Sequence, residues 1–249
     1  MLNLHDLPVI ADRMSFLYFE HVRIEQESKG VVAYDKEGQA AIPIAQLAVL
    51  MLGPGSTITH AAICKMAEHN CLVIWCGEQN IRFYAYGIGG THSSENLLHQ
   101  AFLVQDSEKR LEVAYRMYTK RFKEEVKGLS IEQLRGREGT RVREFYQKTA
   151  NEYGIVWNGR NYDPKNWSNS DIPNKCLSAG NTCLYGICHA AILSLGYSPA
   201  LGFIHRGNQK SFVFDIADLY KTEILIPLAF QVAAVTKKDV ERQMRLACR

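Results

Sequence analysis

Apolar and polar positions alternate with a period of two over much of residues 15–88. This is the pattern of half-buried strands. FLYFEHVRIEQE reads as one strand, and VVAYDKEG with QAAIPI as two more joined by a turn at Asp35–Gly38. AQLAVLMLGPG reads as a fully buried strand that ends in Gly-Pro-Gly. A helix is predicted over Thr57–Asn70, and CLVIWCG and IRFYAYG then form a hairpin around Glu78–Asn80. The expectation is one small sheet with one helix. YGIGGTHSS, residues 86–94, is rich in Gly and Ser and marks a boundary.

Beyond that boundary the period becomes helical. ENLLHQAFLVQDSEKRLEVAYRMYTKRFKEE predicts one or two long amphipathic helices. Ser130 opens another, with Gln133 three residues on as its capping-box partner. Cys176–Leu195 is apolar on nearly every side and is predicted to be the central buried helix. The fold class is α+β: a β-rich domain over 1–88, a linker at 86–94, and an all-α domain over 95–249.

Composition fits this globular reading: 249 residues, 47% hydrophobic and 22% charged. A net charge of +3 is too small to argue for nucleic acid by itself. The seven cysteines form no CxxC pair, and several lie in apolar runs, so buried reduced thiols in a cytoplasmic protein are expected. No signal peptide and no membrane-spanning run is expected.

One polar residue breaks the pattern. From Ser130 onward the apolar stripe is Ile131, Leu134, Val142, Phe145 and the methyl of Thr149, at spacings of 3, 8, 3 and 4. The missing member is position 138, which holds glutamate. A carboxylate on a core-facing stripe needs an arginine, a shared proton or a metal. Gly136 and Gly139 flank it, as if something large approaches the backbone. Arg135, Arg137, Arg141 and Arg143 surround it and suit phosphate neutralisation. Downstream, Asp215 and Asp218 share one helical face, and nine residues separate His205 from Asp215. From the residues alone two readings stay open. Glu138 pairs with one of those arginines while Asp215 and Asp218 cap a helix, or Glu138, His205 and Asp218 form an O/O/N set for Mg²⁺ or Mn²⁺.

The stretches LNLHDLPVIADRMSFLYFE, LGPGSTITHAA, IEQLRGREGTRVR, YGIVWNGRNYDPKNW, CLYGICHAAILSLGYSPALGFIHRGNQKSFVFDIADLYK and RLACR resemble one family. It is the CRISPR-associated integrase of spacer acquisition, the universal adaptation endonuclease. The likeness runs along almost the whole chain and is nearest the branch found with type I-E systems. The resemblance implies a β-domain followed by an α-domain, and homodimers. It implies a catalytic set of Glu138, His205, Asp215 and Asp218, in which Glu138, His205 and Asp218 hold Mg²⁺ or Mn²⁺ and Asp215 supports them. It also implies DNA contacts at Arg82, Tyr162, Trp167, Tyr185, Lys221, Arg242 and Arg245. Core packing is the other reading for the aromatic residues among these.

The implied reaction joins the 3′-hydroxyl ends of a protospacer duplex with 3′ overhangs to the CRISPR leader-repeat by transesterification. The implied partner is a small ferredoxin-like adaptor, with two integrase dimers flanking one adaptor dimer, and no membrane. His21 stands where that branch carries a tyrosine that wedges the duplex end, and Thr57 where it carries an arginine. The chain stops at RLACR, where family members continue with a tail that helps read the protospacer-adjacent motif. Two rival functions share much of this pattern: a stand-alone metal-dependent nuclease on branched or single-stranded DNA, and a catalytically silent DNA-binding scaffold.

Overall fold

The computed structural model describes residues 14–28, 30–77, 83–87, 93–161 and 170–248. The turn at Glu78–Asn80, most of the 86–94 segment, Arg82, Tyr162 and Trp167 lie outside them. The chain divides into two compact units. One is Met1–Ser93 with His189–Gly196 and Arg249; the other is Ser94–Cys188 with Tyr197–Cys248.

The first unit holds two four-stranded sheets rather than the single one expected. One contains β1 (Met14–Phe19), β5 (Leu47–Leu52), β7 (Leu72–Cys76) and β8 (Phe83–Tyr86), in that order. The other runs β4 (Gln39–Ile42), β3 (Gly30–Tyr34), β2 (Arg23–Glu27), β6 (Thr57–Ile58). All six residues of β5 are buried, and parallel neighbours β1 and β7 flank it. An unbroken apolar run is what such a strand requires. The expected turn after β3 is present: Asp35 Oδ1 accepts the N–H groups of Glu37 and Gly38 at 2.8 and 2.9 Å.

FLYFEHVRIEQE is not one strand. The chain breaks at His21, which takes a left-handed conformation (φ 54°) and donates its N–H to the Pro54 carbonyl. The two halves therefore enter different sheets. Gly55 has φ +71° and lies against the His21 ring, where a Cβ would come within 2.2 Å of Nδ1. The helix expected over Thr57–Asn70 begins later, as α1 (His60–Glu68), because Thr57 and Ile58 pair with β2 and Thr59 is the N-cap. Ile24, Leu50, Leu52, Met66 and Val73 join both sheets and α1 in one core.

In the second unit, no strand occurs among the described residues. The predicted long helical stretch is two helices, α2 (Glu95–Gln105) and α3 (Ser107–Phe122). Asp106 divides them by accepting the N–H groups of Glu108 and Lys109. Helix α4 (Ile131–Glu152) begins with the expected capping box of Ser130 and Gln133. Helix α5 (Ile172–Ser194) follows, its residues from His189 onward counted with the first unit, then α6 (Ser211–Tyr220), a π-helical turn (Lys221–Leu225), α7 (Ile226–Val235) and α8 (Val240–Ala247). Leu177, Leu225, Phe230 and Met244 form the centre of this core. Helix α5 is long and apolar enough to cross a membrane by length and composition, but 61% of its apolar window is buried inside the protein. That burial is the property of a core helix.

None of the seven cysteines is in a disulfide; five are buried and Cys64 is exposed. Burial pushes the Cys176 and Cys188 thiols up to about 12. Iodoacetamide at pH 8, followed by peptide mass analysis, is expected to label Cys64 quickly. Cys176 and Cys188 stay unlabelled until the protein is unfolded.

Candidate active site

Four helices and one loop of the second unit bring the candidate residues together. Helix α4 presents Glu138 from its apolar stripe, with Leu134 one turn before it fully buried. Helix α3 lays Ala114, Tyr118 and Phe122 against Leu134 and Ile204. That packing places Tyr118 and Arg121 beside Glu138. Helix α6 supplies Asp215 and Asp218 from mid-helix, and the π-helical turn supplies Lys221.

The helix-capping reading of the two aspartates is wrong. Lys210 holds the N-cap position of α6, and Asp215 and Asp218 lie well inside that helix. Asp215 is not a cap of its own helix. It caps a different segment: its Oδ2 accepts the N–H groups of Phe203 (2.6 Å) and Ile204 (3.0 Å), and its Oδ1 accepts that of His205 (2.9 Å). The same Oδ1 accepts from His205 Nδ1 at 2.8 Å. The loop is folded tightly enough that a Cβ at Gly202 would lie 2.3 Å from the His205 carbonyl oxygen. The guanidinium of Arg110 ties this loop to α3 through the Phe203 carbonyl, at 2.8 Å.

A carboxylate that fixes Nδ1 sets the tautomer and aims Nε2. His205 Nε2 faces Asp218 Oδ2 at 3.9 Å. The hydrogen bond to Asp215 raises the His205 pKa above its ordinary value, burial opposes this, and Asp218 adds to the rise. Burial pulls the Lys221 ammonium down, but Asp218 and Tyr185 outweigh it and lift Lys221 to about 12. Lys221 Nζ donates to Tyr185 Oη (2.8 Å) and pairs with Asp218 Oδ1 (2.7 Å). Tyr185 is half-buried and packs edge-on against Phe214. Arg242 is exposed and Arg245 half-buried on α8.

Glu138 does not pair with the arginines of its own helix. Arg137 and Arg141 turn to Glu124, and Arg143 to Thr140. Its partners come from α3: Tyr118 Oη donates to Oε2 at 2.9 Å, and Arg121 Nη1 pairs with Oε1. Burial first, and then Glu138, raise the Tyr118 pKa. Arg121 Nη1 also lies 3.5 Å from Asp218 Oδ2. Sequence reasoning missed both residues. The available signal was the Ala114–Tyr118–Phe122 stripe, which buries a hydroxyl in need of an acceptor and carries an arginine at its edge.

Glu138 Oε1 and Asp218 Oδ2 thus share one positive nitrogen, and His205 Nε2 faces that Asp218 oxygen. Two hard oxygens and an imidazole with its other nitrogen fixed are a fitting donor set for Mg²⁺ or Mn²⁺. The expectation that the three grip a single ion directly is not met by their present positions. Among the described residues, no group of three or more His, Cys, Asp and Glu side chains is close enough to hold a metal. The Arg121 guanidinium stands between Glu138 and Asp218 instead.

The chain matches the family profile described as CRISPR associated protein Cas1, over residues 17–130 and 120–249. The chain belongs to the Cas1 family. It is 50% identical over 248 residues to "CRISPR-associated endonuclease Cas1 2" of Thermus thermophilus, covering 99% of this chain and 76% of that protein. It is 43% identical over 250 residues to "CRISPR-associated endonuclease Cas1" of Escherichia coli K12, covering 100% of this chain and 82% of that protein. It is also similar to the crystal structure of a TtCas1–DNA complex, with a TM-score of 0.84, 50% identity, and coverage of 94% of this chain and 84% of that one. The order of a β-sheet region followed by a helical region is that of the Cas1 fold.

Two outcomes follow for this Cas1 site. Asp215→Ala strips three N–H groups of their acceptor in a buried loop, and is expected to lower the urea-unfolding free energy by about 3 kcal/mol or more. In chelator, the His205 imidazole is expected to titrate by NMR above the ordinary value near 6.5. A raised folded value means that its stabilising contribution is fully present below about pH 6.5 and is lost as pH rises through the folded value.

Proposed function

We propose that this chain is a divalent-metal-dependent DNA endonuclease and integrase of CRISPR adaptation. It joins the 3′-hydroxyl ends of a protospacer duplex to the CRISPR leader-repeat by transesterification. The observation that carries this reading is that Glu138 Oε1 and Asp218 Oδ2 share a single cationic nitrogen, while His205 Nε2 faces the same Asp218 oxygen at 3.9 Å. The donor chemistry belongs to Mg²⁺ or Mn²⁺, which when bound neutralises charge on the phosphate and activates the attacking hydroxyl.

The chain's own residues supply the rest. Asp215 holds the His205 loop and fixes Nδ1, so Nε2 stays turned toward Asp218. Tyr118 steadies the second oxygen of Glu138, and Lys221 that of Asp218. A cavity of about 550 Å³ opens beside Glu138, with Arg121, Lys123, Arg141 and Lys148 in its wall. These cations suit the charge of a phosphodiester backbone. Lys221, Tyr185, Arg242 and Arg245 extend the DNA-contact surface in this reading, and a relative solved with DNA supports it. By the family likeness, the working form is a homodimer, two of which flank an adaptor dimer. Cysteines outside any disulfide, most of them buried, agree with a cytoplasmic setting.

The test is a 3′-hydroxyl duplex mixed with a repeat-containing plasmid, with and without the adaptor, in Mn²⁺, Mg²⁺ or chelator. Joined product is expected with metal and none in chelator. Glu138→Ala lowers joining by at least about a hundredfold while gel-shift binding of DNA persists. Joining in chelator would reject the metal role. Cutting without joining would favour a stand-alone nuclease. A second expectation concerns Gly136 and Gly139, which are exposed and have nothing of this chain within 4 Å of a built Cβ. Gly139→Ala is expected to add about 1 kcal/mol of stability but to weaken DNA binding, because the arginine-flanked backbone is where the phosphate chain approaches.

A further inference from the structure

We propose that Arg121 is an exchangeable counter-ion: it holds Glu138 and Asp218 together, and a divalent cation must displace it to bind. The inference rests on the metal reading of the preceding section, and it assigns Arg121 a positioning role.

Arg121 is only 6% exposed at its side chain, and its two acid partners 15% and 11%. Each acid is divided in the same way. Glu138 gives Oε2 to the Tyr118 hydroxyl and Oε1 to Arg121. Asp218 gives Oδ1 to Lys221 and Oδ2 to Arg121. One oxygen of each carboxylate is therefore anchored to a fixed donor, and the other faces Arg121 Nη1. The Asp218 oxygen facing Arg121 is also the one that faces His205 Nε2, at 3.9 Å. A single nitrogen spans acids from two helices and acts as a point charge. A divalent ion and Nη1 cannot both occupy that position, because like charges so close repel strongly in a partly buried site.

The fold also offers the guanidinium somewhere to go. Arg121 lines the cavity of about 550 Å³, and Glu144 and Glu223 lie in the same wall. A swing of the long side chain exchanges two acids for others without stranding the positive charge. Removing a purely structural arginine leaves its acids less well placed and weakens any metal binding. Removing a competing one strengthens it. The two roles therefore predict opposite signs.

The experiment measures Mn²⁺ binding by electron paramagnetic resonance, without DNA, for the wild-type chain, Arg121→Gln and Glu138→Ala. Arg121→Gln is expected to bind Mn²⁺ about tenfold more tightly than wild type, and its melting temperature to fall in chelator and recover with Mn²⁺. Glu138→Ala is expected to lose the site. Wild-type binding with equal or weaker binding by Arg121→Gln overturns the inference and leaves the metal reading standing. No saturable binding by any of the three, or unchanged binding by Glu138→Ala, overturns both. If Arg121→Gln does not fold, the wild-type Arg121 Nε–H resonance, assigned by its loss in Arg121→Lys, serves instead. It is expected to shift on Mg²⁺ addition, and an unmoved resonance at saturating Mg²⁺ overturns the inference.

Discussion

Two carboxylates from separate helices cannot lie side by side in a partly buried site without positive charge between them. Glu138 and Asp218 impose this constraint, and the surrounding helices answer it. Helix α3 comes in with Arg121 and the Tyr118 hydroxyl, and the π-helical turn brings Lys221. The apolar contacts of Tyr118, Phe122, Leu134 and Ile204 hold those polar groups at the required distances. Packing and charge are thus one arrangement here. The stripe that buries α3 against α4 also delivers the cation that lets Glu138 occupy a core-facing position.

Asp215 plays the complementary part. It carries no substrate-facing oxygen, since both oxygens accept from the backbone of residues 203–205 and from the imidazole. A helix interior is the rigid body of this region, and the loop is fastened to it at four points. The histidine is held by backbone and ring alike, which fixes both its position and its tautomer.

Much of this was legible in the residues because the signals were local. The Ser130–Gln133 capping box, the Asp35–Gly38 turn and the all-buried strand Leu47–Leu52 each depend on neighbours within a few positions. Glu138 was legible because a helical stripe has a period, and a carboxylate in that period is conspicuous. The failures were non-local. Nothing nearby marks His21 as the break between two sheets, since its left-handed backbone is stabilised by Pro54 and Gly55, over thirty residues away. Asp215 looks like a cap when only its own helix is considered, yet its partners sit ten to twelve residues upstream in a loop. Arg121 resembles any solvated arginine on an amphipathic helix until a second helix is laid beside it.

The π-helical turn at Lys221–Leu225 joins α6 to α7 without a break in the rod. Such a turn carries one residue more than an α-turn, so everything after it is rotated by about 100° relative to an unbroken helix. Upstream, the rod points its acids at Arg121 and the His205 loop; downstream, it points Ile226, Ala229 and Phe230 into the core. One continuous element therefore serves two directions that a regular screw would not reconcile. A one-residue deletion there would straighten the hydrogen-bond ladder and yet unseat the protein, because local regularity and global fit are opposed at that point of the chain.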